Sequence, residues 1–549
     1  MTKRILLLSF ILLPIASLFA QDINEARDLL NSERYSSAEK VLEKQIERSG
    51  TQPDLNYLLV KTYLQQEKSN EAWNFIEKNQ INKVSAAVDP INKVAYANYL
   101  FNTGKNAEAK EILTQLLEDK KARKNIDLLM AIAEVYVSSG ENSINDALQV
   151  IEIAEKKDKH NASLDILKGN AYRVLHDGSK AYVAYYSAIK EDPRNVMAHY
   201  QLGNIFQSQQ NEEMYMEHYL KAYAIDSTFS PVLEALYNHY YFRDVKKAKV
   251  YLEKFIRYAD YSIENDYAMA DMYYLNKDYT NAIKLASEIL EKEKGNGHAR
   301  LYKMIAYSHD EKGDKEKAWQ FLNTYFEKEK PDQFVARDYE FKAKLLLTQT
   351  GREIEAIESF VKAFDLDTVL ERKIEFAVVL AETYGKVENF ASQAEWLGKV
   401  YELKKDRTNV DLFNWGFANY KAANLEMADS IFAKYTEQYP DNIYGHYWRA
   451  QVNAVVDTSL ELGLAIPHYK RVVELGEVDK DANKAMLLKA YGYMGGYEAN
   501  ISKDYQASLS WFEKFLELDP DNADANKYAT ILREWINDPE KNKDKPEDS

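Results

Sequence analysis

The sequence contains no cysteine. That excludes disulfide frameworks, Cys-ligated zinc or iron–sulfur sites and thiol nucleophiles. It also excludes the acylated cysteine that anchors bacterial lipoproteins. Breakers are scarce: 19 glycines and 11 prolines in 549 residues, where an average globular chain carries about 12% of the two together. Sandwiches, barrels and propellers turn too often to be built from so few. Positive charge is in deficit, with 71 Lys and Arg against 87 Asp and Glu, a net charge of −16. A chain of that sign repels phosphate backbones, so no nucleic-acid partner is expected. Long apolar runs are confined to the first twenty residues.

Those first residues read as a secretory leader. Lys3 and Arg4 form its positive end, Ile5 to Ile15 is mostly apolar, and Ala20 offers a small residue for cleavage before Gln21. The apolar stretch is shorter than the roughly 20 residues that span a bilayer. The expectation is a chain exported to a bacterial periplasm, with no membrane span after cleavage.

The remaining sequence is periodic. Small residues recur on helices that follow polar turns: Ala38, Ala72, Ala109, Ala147, Ala181, Ala248, Ala282, Ala318, Ala356, Ala394, Ala428, Ala465 and Ser508, with Tyr215 in the slot between Ala181 and Ala248. Successive spacings run from 33 to 43 residues and cluster near 34. About twelve residues earlier stands a second slim residue, such as Ala97, Ala133, Gly169, Gly203, Ala306 or Gly416. Large residues four and seven places after the first, as in Tyr185/Ala188 and Phe432/Tyr435, keep one helical face apolar. Units close on turns such as Asp192-Pro193-Arg194-Asn195, where proline stops one helix and asparagine can cap the next. A fixed period of this length denotes stacked supersecondary units.

The pattern resembles the tetratricopeptide repeat (TPR) family over residues 22–536. Two of its cleanest units are 162–195 and 409–442, with Ala181 and Ala428 at the crossing and Gly169 and Gly416 opposite. The resemblance implies an all-α superhelix of about fourteen helix pairs, closed by an amphipathic C-terminal helix over 523–536. Residues 1–20 are then the leader, 21–295 and 296–537 two half-solenoids, and 538–549 a disordered charged tail. Lys294-Gly295-Asn296-Gly297 is the candidate hinge. Tyr215 in place of a small residue predicts a wider helix pair, and Pro467 predicts a kink inside a second helix.

In TPR proteins the first helix of each pair lines a concave groove, at positions three before, one after and four after its small residue. The resemblance therefore assigns Asn170, Arg173, Tyr200, Asn204, Gln207 and Tyr237 to the groove. It assigns Tyr240, Tyr267, Tyr274, Tyr307, Phe417 and Tyr420 likewise, and also Tyr57 and Lys61. Tyrosine with amides and arginine suits peptides, because rings supply apolar area and amides can bond a backbone. The family's carboxylate clamp is not supported, since Ile166 and Tyr200 stand where lysine is needed. No metal-binding H-E-x-x-H pair, G-x-S-x-G elbow or phosphate-binding loop is present, so no enzyme, cofactor or metal is expected. The expected function is a periplasmic scaffold that binds envelope proteins or peptides in its groove. The alternative is an envelope glycan-binding or carbohydrate-uptake accessory protein.

Overall fold

A computed structural model describes residues 23–83 and 88–538. The leader and the tail beyond Asp538 lie outside the described residues. Those described form α-helices in sequential antiparallel pairs, with no strand among them. The chain divides into two compact units, with the boundary between Lys312 and Gly313. The first unit begins with helix 23–31 and Tyr35–Ser49 and continues through pairs such as Ala162–Val174 with Gly178–Glu191 and Val196–Ser208 with Glu212–Ile225. The second unit contains pairs such as Ala336–Leu347 with Glu353–Leu366 and Asn409–Lys421 with Leu425–Gln438, and ends on Ala523–Asn537. Within that last helix Leu532 is buried but Tyr528 is half exposed.

Most pairs turn through the same device. Five residues before the crossing residue the backbone enters the left-handed region. Glu33, Glu67, His176, Gln210, Lys277 and Ala423 hold φ values of 55° to 61° there, and Gly104, Gly313 and Gly351 take φ of 80° to 82° at the equivalent places. Most pairs thus make the turn with an ordinary residue at a cost of about 1 kcal/mol, which is how the fold manages on so little glycine. The same register corrects one assignment. Glu388 is the left-handed residue of its pair, so Gln393 rather than Ala394 stands at the crossing. After several of these turns a local cap starts the second helix: Asp177 accepts from Lys180 N, Asn211 from Met214 N and Asp244 from Lys247 N. Asn195, Asn442 and Asn522 after the proline turns cap as expected.

The helices of a pair approach by volume complementarity. A Cβ on Gly169 or Gly203 would lie 2.3 or 2.4 Å from a ring carbon of Tyr185 or Tyr219; on Gly416 or Gly495 it would lie 2.9 or 2.8 Å from Phe432 or Phe512. The glycine therefore faces the aromatic four residues after the crossing residue, not the crossing alanine itself. Where the slim residue is Ala97 or Ala133, the equivalent partner is Leu113 or Ile151, also buried. The Tyr215 pair is not opened up, because Gly203 and Tyr219 still meet closely. Tyr215 turns its ring into the next pair instead, where its hydroxyl meets His239 Nδ1 at 2.8 Å. Pro467 gives no kink: its helix is Ile466–Gly476, so proline occupies the first turn, where no N–H is needed. The extra residues around Asp457–Ala465 wrap the buried Asp457, whose carboxylate accepts from Leu462 N and Leu464 N at 3.4 and 3.3 Å. Those at Glu498–Ser502 form a π-helical turn ending on left-handed Lys503. Lys294–Gly297 lies inside the first unit. Tyr267 braces it by donating to Glu293 at 2.5 Å and accepting from His298 N at 2.9 Å.

Histidines also sit in this core. His199 and His218 are buried with their Nδ1 atoms 3.2 Å apart, and His218 stacks on Phe206. Burial, then the neighbouring His199, lowers the His218 pKa to about 4; burial first, then Arg449, does the same for His468.

Two outcomes follow for stability. Gly203→Ala should cost about 1–3 kcal/mol in chemical denaturation, and Tyr219→Leu in the same chain should recover part of that loss in a double-mutant cycle. These histidines are neutral in the fold but take a proton in the unfolded chain below about pH 6.5. Stability should therefore fall as pH drops from about 6.5 toward 4, and thermal melts of His218→Gln should show a shallower decline.

Candidate functional site

In the first unit, the first helices of successive pairs present their inner faces to a common chamber of about 1350 Å³. Its wall runs from helix 23–31 through Pro53–Gln65, Ile126–Ser138, Ala162–Val174 and Val196–Ser208 to the turn before Ser230. The lining mixes apolar Met130, Ile166 and Met197 with Arg27, Lys61, Glu134, Asn170 and Gln201.

The curvature of this wall brings side chains two pairs apart into contact. Lys61 Nζ lies 2.5 Å from one Glu134 oxygen, and the Tyr57 hydroxyl donates to the other at 2.7 Å. Burial alone would raise the Glu134 pKa. The Lys61 charge and hydrogen bond, with help from Tyr57 and Arg27, outweigh it and lower the carboxyl below its ordinary value. Burial and the Glu134 charge raise the Tyr57 phenol in turn. Glu134 is therefore an ionised acceptor at neutral pH, with Lys61 and Tyr57 held as its donors.

Further along, the amides one place after each slim residue are held from beneath. Tyr185 donates to Asn170 Oδ1 and Tyr219 to Asn204 Oδ1, each at 2.7 Å. In the second unit Gln451 Nε2 donates to the Tyr469 hydroxyl at 2.9 Å from the equivalent place. Arg173 donates to Gln201, whose oxygen also accepts from Asn204 at 3.4 Å. A tyrosine four residues after the crossing thus fixes an amide on the inner face, so its remaining donors point outward without rotational freedom.

The twelve groove residues are placed differently from one another. Asn170 and Asn204 are half-buried, while Arg173 and Gln207 are exposed; Asn170 lines the chamber. Tyr200 is half-buried, its ring 6.1 Å from Tyr219 and 5.6 Å from Phe229. Tyr240 stacks on Tyr251 at 5.7 Å with Lys247 above it. Tyr274 packs beside Tyr279, and Tyr307 is half-buried. Tyr237 and Tyr267 are buried, which leaves them little surface for a partner. In the second unit Phe417 and Tyr420 pack on Trp448, with ring centroids 4.7 and 5.5 Å apart. Arg27, Met130 and Glu134 line the chamber although none is an amide or a tyrosine. They stand at the same offsets from Ala26 and Ala133, so position alone designates them.

Among the described residues no cluster of three His, Asp or Glu could hold a metal ion, and no helix is long and apolar enough to cross a membrane.

No family model and no curated protein matches the chain. Solved structures do. The C-terminal part of a TPR repeat-containing protein from Cytophaga hutchinsonii is 26% identical, over 47% of this chain and 97% of that one, with a TM-score of 0.32. A tetratricopeptide repeat protein from Parabacteroides merdae is 16% identical, over 47% of this chain and 98% of that one, at 0.28. PilF of Pseudomonas aeruginosa is 19% identical, over 36% and 89%, at 0.29. The helix pair repeated about every 34 residues, with its slim crossing and its left-handed turn, makes the chain an all-α solenoid of stacked helix pairs, and the solved structures it is similar to are tetratricopeptide repeat proteins.

Proposed function

We propose that the protein is an exported, non-enzymatic scaffold of the bacterial envelope that binds segments of other proteins along the inner face of its first unit. One observation carries this reading. The chamber carries polar groups already fixed in place from four helix pairs, Lys61, Glu134, Asn170 and Gln201, interleaved with methionine and isoleucine. Ordered donors recognise a peptide backbone at small entropic cost, and flexible Met130 and Met197 adapt to varied side chains. No single pair supplies much, so binding spreads over the array. The leader-like Lys3–Ala20 segment supports export, and the negative charge supports a protein rather than a nucleic-acid partner.

Cross-linked pull-down from the native envelope tests the reading. Replacing Met130, Met197 and Gln201 together by alanine should weaken capture of a specific partner at least about tenfold, a loss near 1.4 kcal/mol, with little change in melting temperature. Capture that is indifferent to these three side chains refutes binding in the chamber.

A further inference from the structure

The helix Tyr35–Ser49 starts without a cap of its own. Arg34 stands at its N-cap and makes no side-chain cap bond, nor do Lys68 and Lys105 in the next two pairs, whereas later pairs of the first unit place Asp177, Asn211 or Asp244 there. The missing acceptor comes from Asp260, 224 residues along the chain, in the turn between Val245–Tyr258 and Ile263–Leu275. One Asp260 oxygen accepts from Ser36 N at 2.6 Å and Ser37 N at 3.3 Å; the other accepts from the Ser37 hydroxyl at 2.5 Å. A carboxylate on the positive end of a helix is an attractive arrangement. It joins the first helix pair to the turn after the seventh, within one compact unit.

The contact lies outside the main apolar core of the first pair. The core that holds Ala38 and Leu42 runs from Ala26 to Ala171 and includes no residue of 230–262. Like charges oppose the closure: burial raises the carboxyl pKa values of both Glu33 and Glu234, and the Glu234 charge adds to the rise at Glu33. Arg27, Arg34 and Asn31 on one side of this seam, and Asp226, Thr228 and Phe229 on the other, line the same chamber.

We propose that Asp260 is a latch: its bonds to Ser36 and Ser37 close the first helix pair against the seventh, and their release opens the chamber along that seam to admit a partner. The latch governs access to the surface read above as the binding site, and it rests on that reading for its purpose but not for its existence. Closure depends on one carboxylate, so single substitutions should shift it in both directions. Asp260→Ala opens the seam, while Glu33→Gln removes the opposing repulsion and tightens it.

Amide hydrogen exchange on the full chain, without partner, reads the latch directly. In Asp260→Ala, exchange over 23–49 should accelerate at least about tenfold while 126–225 keeps its rate. Glu33→Gln should slow exchange over 23–49. Ser37→Ala, which removes one of the three bonds, should fall between wild type and Asp260→Ala, and it carries the test if Asp260→Ala does not fold. Unchanged exchange over 23–49, or equal acceleration in every pair, overturns the latch. Partner capture is measured separately, so normal latch behaviour with no capture counts against the binding reading alone.

Discussion

The structure depends on how closely two helix backbones can approach. At Gly169, Gly203, Gly416 and Gly495 the approach is so close that an aromatic ring occupies the volume a Cβ would need. That contact does more than bury area. It sets where Tyr185 and Tyr219 point, and their hydroxyls then reach through the pair to Asn170 and Asn204 on the opposite face. Packing in the core thus fixes the chemistry of the groove. A ring without a hydroxyl, Phe432, packs on Gly416 in the same way but provides no such bond. Packing alone accounts for the aromatic, and the hydroxyl is what the inner face adds.

Short-range chemistry keeps the period. Most turns are made by one left-handed residue, and several add a capping side chain, so a pair needs few residues outside its helices. Because Glu67 and His176 can take that conformation, glycine is dispensable at most turns. Extra residues do not break the stack either. They are absorbed around buried Asp457 or in the π-helical turn at Glu498–Ser502.

The fold was largely legible in the sequence because its determinants are local and repeated. Slim residues at a 34-residue period, proline turns and Asn caps each speak for a nearby contact, and Asn195, Asn442 and Asn522 act as their positions suggest. Less was legible where a residue type has two uses. Tyrosine fits both core and groove, and nothing local separates buried Tyr267 from half-buried Tyr200. Charged Arg27 and Glu134 stand at groove offsets, yet they gain meaning only once curvature brings Lys61 and Glu134 together from two pairs apart. Pro467 and Ala394 show the cost of a register uncertain by one or two places: a shift of that size turns a kink into a helix start and moves the crossing to Gln393.

A stack of repeats is ordinarily a one-dimensional system, in which each unit feels only its neighbours and stability adds along the chain. The first unit departs from that: Lys61 meets Glu134 two pairs on, and a second contact reaches much further. The Asp260 contact links positions 224 residues apart, so the end pair is held from two directions. Fraying of an end pair normally costs one interface; here it also costs a charged helix cap. The same closure bounds the chamber, since helix 23–31 forms one of its walls. An array built from local rules thereby acquires a long-range contact at Asp260, and the latch makes that contact the control on how far the inner face opens along its seam.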